Sequence, residues 1–141
     1  MPPAPAASTG QTIPIALTIG GSDSGGGAGI QADLKTFTAQ KVHGCSAISC
    51  VTAQNTLGVS RVDALPPEAL TAQIEAVVND LAVDALKTGM LLNQALIEAT
   101  ANAIASLVIP KLIDPVMVSR AGAVLLEDCL LYTSPSPRDR G

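Results

Sequence analysis

The residues with the clearest chemical potential lie in Gly20-Gly21-Ser22-Asp23-Ser24-Gly25-Gly26-Gly27-Ala28-Gly29, where six of ten positions are glycine. Such a run lets the backbone adopt positive φ and leaves its N–H groups uncovered by side chains, so a ligand can approach the main chain closely. Ile30, Leu34 and Phe37 follow at i, i+4 and i+7. A helix therefore opens at the end of the loop and adds the positive end of its dipole. The expected guest is polar or anionic. Two familiar phosphate motifs do not fit. A P-loop needs Lys directly after its last glycine, whereas the first lysine is Lys35, inside the helical pattern. Gly27-Ala28-Gly29-Ile30-Gln31-Ala32 matches G-x-G-x-x-A, but no acid occurs between Asp33 and Asp63, so the ribose-binding carboxylate of a dinucleotide site is missing. The plain alternative is a tight turn that lets strand and helix pack.

Other polar residues invite the same double reading. Asp33 falls at the margin of the buried stripe of that helix, where a carboxylate is costly without a donor; it either answers the helix dipole or bonds a ligand. Gln54 and Asn55 follow an apolar run, and their amides either present a donor and an acceptor to a heterocycle edge or cap a turn. Met90, after Thr88-Gly89, is a flexible apolar wall or simply core. Asp114, before Pro115, either orients a metal-bound phosphate or fixes a turn. One reading of Lys87 is a solvated strand residue and no more; spacing settles neither its role nor that of Asp114.

The elements that must position these side chains alternate. An apolar run from Ile13 precedes the glycine loop, and Cys45–Val51 is a second buried strand that ends in Thr52-Ala53-Gln54-Asn55-Thr56. Residues 57–65 alternate partly, as an edge strand or an extended crossing. Pro66-Pro67-Glu68 starts a helix with proline in the first turn and an acid facing the dipole, and Leu70, Ile74, Val77, Val78 and Leu81 form its stripe. Residues 84–88 form a short strand. Asn93 caps a helix bearing Ile97, Ala101, Ile104 and Ala105 on one face, and residues 108–113 return as a strand, with Pro110 confining their start to loop or sheet edge. Alternating strands and helices predict a parallel sheet with right-handed crossovers and helices on its faces. The polar clusters at 20–29, 52–56, 88–91 and 114–120 each follow a strand. In an open α/β sheet such points gather at the carboxyl edge, so four loops converge on one site.

Composition narrows the function. The chain has 141 residues, 48% apolar, enough for one domain with a real core. With one Phe, one Tyr and no Trp, that core is aliphatic and base stacking is an unpromising binding mode. A net charge of −4 without a basic patch argues against nucleic acid. Cys45, Cys50 and Cys129 have no His in ligand register and read as buried thiols of a reducing cytoplasm; His43 reads as a surface or loop residue. No apolar run is long enough to span a bilayer. Residues 1–12 form a loose leader without the basic start or apolar segment of a signal peptide. Residues 132–141, with two prolines and no periodicity, look like a foreign tail, so the domain is taken as 13–131.

Residues 16–37, from Ala16 through the glycine loop to Phe37, resemble the opening of the hydroxymethylpyrimidine/phosphomethylpyrimidine kinases of thiamin biosynthesis, members of the ribokinase superfamily. Val51-Thr52-Ala53-Gln54-Asn55-Thr56, Lys87-Thr88-Gly89-Met90-Leu91 and Asp114-Pro115-Val116-Met117-Val118 agree in order. The resemblance runs over residues 13–126. It implies a ribokinase-like three-layer αβα fold with a mostly parallel sheet, cut to its N-terminal half. It also implies transfer of the γ-phosphoryl group of ATP, with Mg2+, to 4-amino-5-hydroxymethyl-2-methylpyrimidine and then to its monophosphate. By position, Gly21, Asp33, Gln54, Met90 and Val116 resemble the family's pyrimidine pocket. Gln54 would read the amino-pyrimidine edge, Asp33 hold a polar group, and Met90 with Val116 sandwich the ring. Asp114 resembles an acid near the phosphates and metal.

The family continues into a glycine-rich anion hole that carries the catalytic residue and into most of the ATP site. No catalytic residue is therefore expected among these 141, nor turnover by this chain alone, and an exposed apolar sheet edge with poor solubility is expected. The full-length family admits a homodimer. A pyridoxal or pyridoxine kinase of the same superfamily is the first rival reading, a dinucleotide-binding module the second, and a sequencing product without a role the third.

Overall fold

The computed structural model describes residues 12–114. Sequence expectations for residues 1–11, for the 114–120 loop beyond Asp114, for Val116, for Cys129 and for the 132–141 tail lie outside the described residues. The elements are β1 (Ile15–Asp23), α1 (Gly29–Ala39), β2 (His43–Asn55), β3 (Gly58–Ala64), α2 (Pro67–Val78), β4 (Ala85–Thr88), α3 (Gln94–Ile104) and β5 (Lys111–Ile113). They form one five-stranded sheet in the order β3-β2-β1-β4-β5. β1 pairs in parallel with β2 and β4, and β4 with β5; only β3 runs antiparallel, against β2.

Strand alternation makes three layers. Leu17 and Ile19 of β1 and Cys45 and Ala47 of β2 point to one face, where they pack with Leu70 and Ile74 of α2 and Leu96, Ile97 and Ile104 of α3 in the main core. The residues between them, Thr18, Gly20, Gly44 and Ser46, turn to the other face, toward α1. That face is small and polar, which lets α1 lie close. A Cβ on Gly44 would come within 2.8 Å of Leu34 Cδ2 and 2.9 Å of Phe37 Cδ2. Only Ile30 of the α1 stripe is fully buried; Leu34 and Phe37 are half-buried.

Helix boundaries follow local chemistry. Pro66 and Pro67 open α2 with Glu68 in its first turn, and Asn93 Oδ1 accepts from Leu96 N (2.9 Å) to cap α3. Strand boundaries depart from the expected ones. β1 extends through Gly20-Gly21-Ser22-Asp23, so the first four of the ten residues of the expected glycine loop are strand, held by the pairs Ser22↔Val51 and Asp23↔Thr52. β2 likewise extends through residues 52–55, because β3 returns beside it from Asn55↔Gly58 to Cys50↔Ala64. Within the 57–65 segment, Gly58–Ala64 thus form an antiparallel edge strand, exposed along its length. β5 is confined to three residues after Pro110; Val108 (98% exposed), before it, and Leu112 (60%), within it, stand in solvent among the described residues.

His43 is exposed at the start of β2. Cys45 and Cys50 are buried free thiols, and burial raises both above the ordinary thiol value, with a weaker opposing effect on Cys50 from the adjacent Ser49. No helix among the described residues is long and apolar enough to cross a membrane.

Candidate functional site

A cavity of about 730 Å3 opens at the carboxyl ends of β1, β2 and β4, between α1 and the β2–β3 hairpin. Gly21, Asp33, Gln54, Met90 and Asp114 all line it, together with Lys87, Thr52, Val59 and Val62. These residues are up to 93 positions apart, from Gly21 to Asp114, and converge because the parallel strands deliver their ends to one rim. Val116 lies outside the described residues. A second groove, about 510 Å3, runs between α2 and α3 on the far side and carries Glu68, Glu75 and Glu98 without any of the residues singled out above.

The glycine loop does not present its N–H groups to a guest as expected. The Asp23 carboxylate, 5% exposed, already fills the concavity: Oδ1 accepts from Gly25 N (2.8 Å), and Oδ2 accepts from Gly27 N (3.0 Å) and Ala28 N (2.8 Å). α1 has no side-chain bond from its N-cap Ala28, so Asp23 also supplies the anion its N-terminus favours. An Asp two residues before a glycine is a known turn former, and that was the signal to follow. Gln31 secures the base of the loop, its Oε1 accepting from Asp23 N (2.8 Å) and its Nε2 donating to Ser22 Oγ (2.8 Å). Gly29, at φ +61°, is required: a Cβ there would run into the Gly21 carbonyl. At Gly21 a Cβ would be a tight fit, 3.0 Å from Cys50 Sγ and 3.2 Å from Met90 Cε, so those side chains would have to give way to it.

Asp33 meets its donors within the protein. Its Oδ2 accepts from Thr18 Oγ1 (2.6 Å) and from Lys87 Nζ (2.9 Å). Lys87 is therefore no solvated strand residue; the two side chains of this ion pair are only 24% and 21% exposed. The pair forms because Thr18 and Lys87 face α1 from adjacent positions of the paired strands β1 and β4. Oδ1 of Asp33 takes no hydrogen bond among the described residues.

Gln54 is fixed by its backbone. Ser24 Oγ donates to Gln54 O (2.7 Å) and accepts from Gln54 N (2.8 Å), which ties the glycine loop to the end of β2. Thr52 Oγ1 lies 2.8 Å from Ser22 O and 3.0 Å from Gln54 Oε1. One hydroxyl proton serves two acceptors there. Turning the Gln54 amide by half a turn would place Nε2 against Thr52 and release Oε1 toward the cavity. Asn55 does not line the cavity; its Oδ1 accepts from Leu57 N (2.8 Å) and caps the β2–β3 turn.

Two further contacts hold the floor. Ser49 Oγ donates to Met90 O (2.6 Å), fixing the β4 loop to β2. Gln73 of α2 accepts from Ile48 N (2.8 Å) and donates to Ile48 O (3.0 Å), satisfying the backbone where the β1–β2 register shifts between Gly20 and Ser22. Asp114 N lies 3.4 Å from Thr88 Oγ1, which brings the end of β5 to the rim.

Residues 23–134 match the family model described as phosphomethylpyrimidine kinase. A hydroxymethylpyrimidine/phosphomethylpyrimidine kinase of Synechococcus elongatus is 64% identical over 119 residues, 84% of this chain and 45% of that protein. The crystal structure of phosphomethylpyrimidine kinase from Clostridium difficile superimposes with a TM-score of 0.71 at 44% identity, over 77% of this chain and 47% of that one. A pyridoxal kinase from Staphylococcus aureus, solved with AMP-PCP and pyridoxal, gives 0.73 at 32% identity, over 85% and 45%. The chain spans about half the length of the relatives it matches. With its αβα layering, its mostly parallel sheet and this match, the chain has the ribokinase-like fold and belongs to the phosphomethylpyrimidine kinase family.

Proposed function

We propose that this chain forms the acceptor side of an ATP-dependent kinase that phosphorylates 4-amino-5-hydroxymethyl-2-methylpyrimidine and its monophosphate. The observation that carries the reading is the meeting of Gly21, Asp33, Gln54 and Met90 around one cavity at the carboxyl rim of the sheet. In it, Gln54 reads the aminopyrimidine edge: with Nε2 turned to Thr52, Oε1 accepts from the exocyclic amine. Gly21 leaves room for the ring, and Met90 supplies an adaptable apolar wall. Asp33 offers Oδ1 to a substrate donor while Lys87 and Thr18 hold the carboxylate in place. Val116 would close the other side of the ring, and Asp114 would face the incoming phosphates.

ATP as donor is supported by the family and by the AMP-PCP complex of the related pyridoxal kinase. No group of three or more His, Cys, Asp or Glu side chains among the described residues could hold a metal ion. Asp23 is committed to the glycine loop and Asp33 to Lys87, so these residues do not make a magnesium site by themselves and no step is assigned to a metal. Phosphoryl transfer depends on positioning and charge stabilisation, and the described residues supply the first for the acceptor. The 141-residue chain alone is expected to bind the pyrimidine without releasing ADP from ATP.

Calorimetric titration with the aminopyrimidine and with pyridoxal tests the reading. Tighter binding of the pyrimidine, lost in Gln54→Ala, is expected; tighter binding of pyridoxal, or no pyrimidine binding, overturns it.

A further inference from the structure

The glycine loop and Gln54 are joined by a short chain of bonds that the substrate reading leaves unexplained. Asp23 is buried and accepts three backbone N–H groups of the loop that follows it. Ser24, the next residue, uses its one hydroxyl proton on Gln54 O and its oxygen to accept from Gln54 N, so both backbone groups of Gln54 are bound by a single side chain. The loop lies close enough that a Cβ on Gly25 would stand 3.1 Å from Gln54 O. Gln54 sits beside a register shift in the β2–β3 ladder, between Ala53 and Gln54, where pairing alone holds the strand less firmly.

We propose that Asp23 and Ser24 are positioning residues for the Gln54 amide: Asp23 acts as a built-in anion that sets the loop, and Ser24 transmits that setting to the end of β2. The loop then governs which ring is accepted, by orienting Gln54, and leaves phosphate binding to other residues. The part of this that concerns ligand choice rests on the aminopyrimidine reading; the mechanical coupling of Asp23 to Gln54 does not.

The test uses the 141-residue chain, 15N-labelled, as wild type, Asp23→Asn, Ser24→Ala and Ser24→Thr. Native-state amide exchange is read at Gly27, Ala28 and Gln54, with Leu17 and Ile19 as internal references. Asp23→Asn puts an amide nitrogen or a single oxygen where two oxygens accepted. Exchange at Gly27, Ala28 and Gln54 is expected to rise together by about threefold to tenfold, the effect of losing one net hydrogen bond. Ser24→Ala, at an exposed position, should speed Gln54 alone, and Ser24→Thr, which keeps the hydroxyl, should restore it. If Asp23→Asn does not fold, the Ser24 pair decides: unchanged Gln54 exchange in Ser24→Ala overturns the proposal. Unchanged Gln54 exchange in a folded Asp23→Asn whose Gly27 exchange has risen overturns it equally. A parallel titration compares the aminopyrimidine with its 4-oxo analogue. The preference for the amine should shrink severalfold in Asp23→Asn and Ser24→Ala, and an unchanged preference in both refutes the role in ligand choice. Wild type that binds neither ring sinks the substrate reading, and the exchange data then decide the coupling on their own.

Discussion

Removing Lys87 should expose how strongly the cavity depends on its ion pair. Lys87→Met keeps most of the stem and deletes the ammonium 2.9 Å from Asp33 Oδ2. Asp33 would keep the Thr18 hydroxyl but lose the opposite charge. A fully exposed pair is worth about 0–1 kcal/mol, and breaking a fully buried one costs about 3–5 kcal/mol. With side chains 24% and 21% exposed, the pair lies between these limits. A loss of about 1.5–3 kcal/mol is expected, or roughly 5–14 °C in Tm for a domain of this size. Asp33→Asn should cost less, because its amide oxygen still accepts from one donor. In the double variant no charge is stranded, so its loss should fall short of the sum of the two singles by about 1–2 kcal/mol. The chain has no Trp, so unfolding is best followed in urea by far-UV circular dichroism. Added salt should change the Lys87→Met difference little, since a half-buried pair is weakly screened. A single variant within about 0.5 kcal/mol of wild type, or a double variant that equals the sum, would refute the assignment of a coupled pair.

Gly29→Ala combines a positive φ with contact against the Gly21 carbonyl, so it should cost more than about 2 kcal/mol and weaken pyrimidine binding; melting and titration read the two effects. Asn93→Ala removes the oxygen that accepts from Leu96 N and should cost about 1 kcal/mol without altering ligand affinity, since α3 does not line the cavity. Cys45 and Cys50 should resist iodoacetamide at neutral pH in the folded chain and react once denatured, as seen by mass spectrometry. Their folded values lie above the ordinary 9.0, so this contribution to stability is whole below that pH and is lost as pH rises toward the folded values; a chain that grows more stable above it would contradict the burial argument.

Much of the fold was legible because its causes are local. The stripe Leu70, Ile74, Val77, the prolines before it and the Asn93 cap each depend on residues within one or two turns, and each helix stands where its pattern placed it. The rule that strand ends share a rim pointed to the loops of Gly21, Gln54, Met90 and Asp114, whereas Asp33, which stands on α1, joined the site only through the family resemblance. Strand lengths were not legible, because Gly20–Asp23 are glycine-rich and residues 52–55 mostly polar, and both are held extended by partners, Val51, Thr52 and β3, that the local pattern does not reveal.

Element order, the αβα layering and the meeting of four strand ends were thus determined by the sequence itself, through periodicity and turn chemistry that act over a few residues. Only the tertiary structure decided which side chains are already spoken for. Asp23 fills the glycine loop, Lys87 crosses 54 positions to Asp33, Ser24 crosses 30 to Gln54, and Gln73 crosses 25 to the Ile48 backbone. The Asp23 bonds are local, but the other three depend on ladder register and on the face each strand residue takes, and a one-residue slip would turn Lys87 of β4 and the Ile48 and Gln54 positions of β2 away from their partners.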